Sequence, residues 1–220
     1  MNHHPPPLHL LYIQLHEYTA KMNFSYKIEH DFGLAPNPFW GYCTLAVCKS
    51  QIRKNKKLTI GSWIFGLGSR KLNNENHLIY AMEVQEKLTF EEYWSDPRFK
   101  LKRPVINGSL KMMYGDNFYY QESGVWMQED SAHSLSNGIN ENHMKRDLSG
   151  EFVLISQNFF YFGENAIRIP EVFHSGVVCP ARNYCSVKLN DNEAQNFVLW
   201  LQKNYTAGII YGDPINWKNN

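Results

Sequence analysis

The sequence predicts an α+β fold with more strand than helix, on three observations. Aromatic residues make up 15% of the chain, with 6 Trp, 13 Tyr and 13 Phe, and such side chains favour pleated, half-buried surfaces. Alternating or continuous apolar runs recur at 24–28, 59–67, 77–86 and 152–162. Only 192–204 carries apolar residues at the spacing of an amphipathic helix of any length, through Ala194, Phe197, Val198 and Leu201.

Each element follows from local chemistry. Residues 1–21 hold three consecutive prolines and four histidines without strand alternation, and predict a poorly ordered N-terminal extension ahead of one domain over 22–220. Phe24, Tyr26 and Ile28 alternate with polar neighbours and predict a first strand. Gly33 and the prolines at 36 and 38 break it. The apolar run 43–48 fits a strand or a short helix equally. Thr59–Leu67 reads as a strand with a glycine bend, and His77–Glu86 as its partner, with Leu78, Tyr80, Met82 and Val84 on one face. Thr89 can cap a short helix whose first turn holds Glu91 and Glu92, and which Asp96-Pro97 ends. Residues 100–150 are rich in Gly and Asn and predict long loops. The apolar runs 152–155 and 159–162 read as a β-hairpin around Ser156-Gln157-Asn158.

Bulk properties narrow the function. A chain of 220 residues, 43% hydrophobic and 20% charged, is long enough to bury a core without staples. A net charge of +1 argues against tight, non-specific duplex binding, which needs many phosphate contacts. The densest basic cluster is Arg53, Lys54, Lys56 and Lys57, a solvated segment first and a phosphate contact second. No secretory leader and no long apolar span are evident, which predicts a cytoplasmic protein without membrane contact, with Cys43, Cys48, Cys179 and Cys185 as buried or free thiols. The cysteine spacings do not match zinc-site pairs, so neither metal nor other cofactor is expected.

Several runs carry a resemblance. Asp31 to Phe39, Gly41 to Ala46, Gly61 to Ile64, Gly66 to Ser69 and Tyr93 to Phe99 together resemble the second nucleotide-modification-associated domain family, as do Gly115 to Asn117, Ser131 to Ser134 and Val153 to Ser156. Ser62 and Ala132 depart from that pattern. The resemblance implies phage and bacterial systems that modify nucleotides or respond to modified ones, without a defined reaction. A weaker similarity links the Gly-x-Trp strand and the Tyr-Trp-Ser-Asp-Pro turn to PUA-like barrels (EVE, YTH and ASCH domains), which implies a small barrel with flanking helices and long loops.

Candidate residues form three groups. Trp40, Trp63 and Trp94 are candidate stacking platforms for a base, with Asn37, Ser69 and Asp96 to read its edges; their ordinary role is core packing. Arg70, within the glycine-bearing run 66–70, and Arg98 are candidate phosphate partners, with Arg53 beside them; a hairpin bend accounts for the glycines equally. Asp116, Asn117, His133 and Ser134 are candidate catalytic residues in long loops, His133 as general base. His133, His143 and Asp147 lack a recognised metal-ligand spacing, and apolar flanks argue for burial of Cys43. The leading expectation is a module that recognises a modified base or nucleotide. The alternatives are an enzyme of nucleotide or nucleic-acid modification and a protein–protein or inhibitor module. The oligomeric state leaves no trace in the sequence.

Overall fold

The computed structural model describes residues 22–180, 184–185 and 191–219. The expected N-terminal extension, 1–21, lies outside the described residues. Two open sheets and a hairpin form the β-structure. The large sheet contains β1 (Phe24–Lys27), β3 (Trp63–Leu67), β4 (His77–Glu83), β9 (Phe159–Tyr161), β10 (Ile167–Arg168), β11 (Tyr184–Cys185) and β12 (Ile209–Ile210), in the order β11-β1-β3-β4-β9-β12 with β10 also on β4. The small sheet contains β2 (Cys43–Leu45), β5 (Glu86–Thr89) and β8 (Phe152–Ser156) in the order β2-β8-β5. Among the described residues β6 (Tyr119–Glu122) and β7 (Val125–Gln128) pair only with each other. The helices are α1 (Ser50–Arg53), α2 (Phe90–Ser95), α3 (Leu110–Met113), α4 (Glu141–Leu148), α5 (His174–Val177) and α6 (Asp191–Asn204). The mixture is α+β, as the aromatic content and periodicity predict. No described sheet closes, so the barrel implied by the weaker resemblance is absent among the described residues.

The core is layered. Phe197, Val198 and Leu201 of α6 pack on one face of the large sheet, against Phe65, Leu78 and Phe160. The other face, with Tyr26, Ile64, Tyr80 and Tyr161, meets Cys43, Leu45 and Leu154 of the small sheet. Beyond the small sheet, Val153 and Ile155 pack with Phe90, Tyr93 and Tyr119. A β-bulge between Gly66 and Leu67 shifts the register with β4 and turns Leu78 to the face opposite Tyr80 and Met82, which corrects the expected single face. Gly66 has no side chain because the Tyr80 ring occupies that space.

The predicted hairpin at 152–162 is corrected. β8 and β9 are both strands but lie in different sheets: β8 pairs with β2 and β5, and β9 with β4 and β12. The β4–β5 and β8–β9 segments cross from one sheet to the other at the same corner. There the Gln85 side-chain oxygen accepts from the Gln157 and Asn158 N–H groups at 2.7 and 3.2 Å. Continuous apolar runs fit strands buried on both faces, which periodicity cannot assign to one sheet. α2 begins as predicted, with Thr89 and Glu92 in a reciprocal capping box. Residues 100–150 hold more structure than expected: the β6–β7 hairpin, turned by Ser123 and Gly124 at φ 50° and 80°, and the helices α3 and α4.

Two further expectations change. Cys179 is disulfide-bonded, whereas reduced thiols were expected throughout; Cys43 and Cys48 are free. Among the described residues no helix is long and apolar enough to cross a membrane.

Candidate active site

After β2 the chain enters a tight turn before α1. Cys48 and Lys49 both take left-handed backbone angles, φ 57° and 40°, which non-glycine residues adopt at a cost of roughly 1–3 kcal/mol each. Surrounding groups hold the turn. The Asp147 carboxylate accepts from the Cys48 N–H at 2.8 Å. The fully buried Arg53 guanidinium donates to the carbonyls of Cys48 (2.9 Å), Asp147 (2.6 Å) and Phe152 (2.8 Å) and lies 5.4 Å from the Phe90 ring centre. Burial is the main influence on Arg53 and lowers its pKa to about 10, leaving it charged at neutral pH. A methyl group at Gly150 would run into this guanidinium. The basic cluster thus splits: Arg53 is an internal clamp and not a phosphate contact.

Asp147 sits in the last turn of α4, whose start is capped by the Asn140 side chain accepting from the His143 N–H at 3.2 Å. Its second carboxylate oxygen accepts from the Tyr119 hydroxyl at 3.0 Å and lies 3.0 Å from His133 Nδ1. His133 Nε2 lies 4.0 Å from Cys48 Sγ. The loop that carries His133 is braced by Ser131 and Ser134: Ser131 Oγ accepts from the His133 N–H at 3.2 Å, and Ser134 Oγ accepts from the Ser131 N–H at 3.0 Å. Phe118 and His143 pack edge-on against the His133 ring, at 5.8 and 4.8 Å between centres.

The electrostatics of this relay are coupled. Burial works against a charged His133, but the hydrogen bonds to Asp147 and Cys48 prevail and raise its pKa to about 9. Burial likewise opposes a charged Asp147, yet the His133 hydrogen bond and charge hold that carboxyl below its ordinary value. Burial and the neighbouring His133 push His143 down. Below about pH 9 His133 is the imidazolium, with Nδ1–H directed at Asp147 and Nε2–H at the Cys48 sulfur, and above it the neutral ring presents the Nε2 lone pair to Cys48. Cysteine, histidine and carboxylate so ordered can activate sulfur, and the thiol–imidazole contact in such sites commonly tightens only with substrate bound. Although His133, His143 and Asp147 lie close together, no group of three or more His, Cys, Asp or Glu among the described residues is placed to hold a metal ion.

Cys48 and His133 open on a cavity of about 1050 Å³ between the large sheet and the Phe32–Ala35 segment. One wall is aromatic. Phe32 stacks on Tyr114 at 5.1 Å with 18° between planes, and on His30 at 5.9 Å with 10°. Tyr26 and Tyr184 face the same space, and Lys27, Glu29, Lys49 and Gln51 supply polar groups. Asp147 is buried behind His133.

Of the residues singled out from sequence, His133 lines this cavity and Ser134 braces its loop. Asn37, Asp116 and Asn117 are buried in a separate network. Asp116 accepts from the Thr44 hydroxyl (2.6 Å) and the Tyr93 hydroxyl (2.8 Å). Asn117 donates to the carbonyls of Tyr93 and Phe99, and Asn37 Oδ1 accepts from Lys102 Nζ at 2.6 Å. Trp63 is buried among Phe65 and Phe160. Trp40 occurs at a φ of 64°, with Lys111 Nζ 3.8 Å from its ring centre. Trp94 stacks between Tyr120 and the Arg103 guanidinium. Ser69 is buried, Arg70 pairs with Glu75, and Asp96 and Arg98 pair with each other, Arg98 also with Glu86. None of the three tryptophans, and none of these last four residues, lines the cavity. Sequence reasoning missed Cys48 and the orienting place of Asp147. The available signal was the proximity of His133 and Asp147 in the chain, 14 residues apart; Cys48 is 85 residues from His133 and only the fold joins them.

No curated protein and no solved structure matches the chain. The model of the family described as nucleotide modification associated domain 2 matches residues 20–220, nearly the whole chain. The chain belongs to the nucleotide modification associated domain 2 family, which associates it with nucleotide modification.

Proposed function

We propose that this protein is an enzyme of nucleotide modification that uses Cys48 as nucleophile, His133 as proton acceptor and donor, and Asp147 to orient and stabilise the imidazolium. The observation that carries this reading is the thiol–imidazole–carboxylate relay opening on a cavity wide enough for a nucleotide. The proton of the Cys48–His133 pair rests on His133 Nε2 as sulfur attacks an electrophilic carbonyl carbon of the substrate. The bond from that carbon to its leaving group then breaks, and His133 returns the proton to the departing atom. Water or an amine resolves the thioester, giving hydrolysis or group transfer. The strained Cys48–Lys49 turn fixes sulfur without waiting for substrate, as pre-organised nucleophiles require.

The test is the reactivity of the intact protein towards iodoacetamide, read by peptide mass spectrometry. Cys48 is expected to alkylate far faster than the buried Cys43, and His133→Ala to slow it. Equal rates at Cys48 in the two proteins overturn the relay. A second reading, recognition of a modified base without chemistry, is favoured by the stacked His30–Phe32–Tyr114 wall, because base-on-aromatic stacking contributes roughly 1–3 kcal/mol. It predicts that ligands leave the protein with unchanged mass and that Cys48→Ala binds them as wild type does.

A further inference from the structure

We infer that Lys49 anchors the phosphate of a nucleotide in the cavity beside Cys48, so that the site takes nucleoside phosphates in preference to nucleosides. The inference rests on the reading of this cavity as the substrate site and names what that substrate must carry.

Lys49 directly follows the proposed nucleophile, is half-buried and lines the cavity wall. Its closest contact among the described residues is the Tyr26 ring, 4.5 Å from Nζ to the ring centre, with Glu29 and Cys48 acting on it only through longer-range charge. The Tyr26 hydroxyl is already engaged with the Tyr80 hydroxyl at 2.8 Å, so Tyr26 offers Lys49 its face alone. Two other lysines drawn into this fold are supplied with oxygen, while Lys111 lies on the Phe39 and Trp40 rings. Lys102 donates to Asn37 O, Asn37 Oδ1 and Tyr42 O, and Lys87 reaches the Leu58 carbonyl. Among the described residues no carbonyl and no carboxylate lies within hydrogen-bonding distance of Lys49. An ammonium so placed has lost water without gaining an acceptor, and an anion in the cavity restores what is missing. Burial accordingly lowers its pKa.

Two further features fit a phosphate-bearing ligand. Lysines outnumber carboxylates on the cavity wall, Lys27 and Lys49 against Glu29. The Lys49 backbone, at a φ of 40°, is held in a left-handed conformation that an ordinary surface lysine has no reason to adopt. The His30–Phe32–Tyr114 stack supplies a flat wall for the base.

The test uses the full-length Cys48→Ala protein, which leaves Lys49 in place and removes turnover. It is titrated by calorimetry with the common nucleoside 5′-monophosphates, with the matching nucleosides and with short single-stranded trinucleotides. At least one monophosphate or trinucleotide is expected to bind roughly 10-fold or more tightly than its nucleoside. Lys49→Met is expected to abolish that advantage and Lys49→Arg to keep most of it. A preference for trinucleotide over monophosphate places the phosphate within a strand. Equal affinity for nucleoside and phosphate, binding of neither at millimolar concentration, or an undiminished advantage in a folded Lys49→Met protein each overturns the inference. Failure of the cysteine chemistry is read separately, as a wild-type Cys48 that alkylates no faster without His133, and leaves Lys49-dependent binding intact.

Discussion

Replacing Asp147 with Asn probes the relay at its buried end. The side chain keeps its size, and its oxygen can still accept from the Cys48 N–H. Arg53 holds the Asp147 main-chain carbonyl and is untouched. What disappears is the negative charge 3.0 Å from His133 Nδ1. In the native protein the carboxylate and the thiol overcome burial and keep His133 protonated to about pH 9, against an ordinary value of 6.5. At about 1.4 kcal/mol per unit, that gap is a preference for the imidazolium on the order of 3 kcal/mol, with the Asp147 hydrogen bond its largest single source and Cys48 the other. Without the charge, burial is opposed only by Cys48, and the titration midpoint of His133 falls below its native position. The assay is proton NMR of the His133 ring across pH, alongside the pH profile of Cys48 alkylation. Stability gives a second readout, with its sign fixed by linkage. A raised His133 stabilises the fold fully below pH 6.5, and that contribution is lost as pH rises through about 9. The depressed Asp147 contributes above its ordinary value of 3.8 and loses that contribution as pH falls. The stability gap between native protein and variant is therefore widest from about pH 4 to 6.5 and narrows on both sides. A His133 midpoint in the variant that stays near 9 refutes the pairing on which this reasoning depends.

Three other perturbations have defined outcomes. Gly150→Ala forces a methyl into the Arg53 guanidinium; urea unfolding should show a loss of about 1–3 kcal/mol, with slower Cys48 alkylation as the clamp shifts. Tyr119→Phe removes one donor from Asp147; the expected cost is about 0.5–1.5 kcal/mol in urea unfolding, with alkylation of Cys48 still His133-dependent. Lys102→Met takes the ammonium from the Tyr42 carbonyl, the Asn37 carbonyl and the Asn37 amide oxygen and removes the cation nearest Asp116; a loss of about 3–5 kcal/mol is expected by thermal and urea unfolding, with any residual folded protein keeping Cys48 reactive.

How far the sequence could be read depended on the range of the interactions that decide each element. α2 was legible because Thr89, Glu92 and Asp96-Pro97 write its start and stop within a few residues. α6 was legible because its apolar stripe faces one core. The sheet switch at Gln85 and Gln157 was not, because the side chain that bridges the corner is 72 residues from the backbone it binds. The candidate site divides in the same way. His133 stood out because an Asp- and Ser-rich loop surrounds it, and Asp147 was noticed beside it as a ligand rather than an orienting group. Cys48 looked like a small apolar residue at the end of an apolar run. Its setting is made by Arg53, Asp147 and Gly150, and only Arg53 is near it in the chain. The tryptophans misled for the converse reason. Composition marks them as conspicuous, but Trp63 is spent on the core, and the cavity wall is built from His30, Phe32 and Tyr114, which no local pattern sets apart.

The fold carries two buried polar networks around the small sheet, and the contrast between them separates structure from chemistry. In the first, Asp116 accepts hydrogen bonds from two hydroxyls, and Lys102 donates to three oxygens. Both ends are closed within the interior, and such a network rigidifies a core. The second begins the same way, with Asp147 receiving Tyr119, the Cys48 amide and His133, but its other end is the Cys48 thiol, half-exposed on the cavity. Nothing in packing requires that end to stay open, and the two left-handed residues there are strained rather than relaxed by the arrangement. Strain, a raised imidazole and an open cavity coincide at Cys48 and are absent around Asp116. A network that served stability alone would close on itself, as the first one does; the second stops at a sulfur atom that faces the space where a substrate would lie.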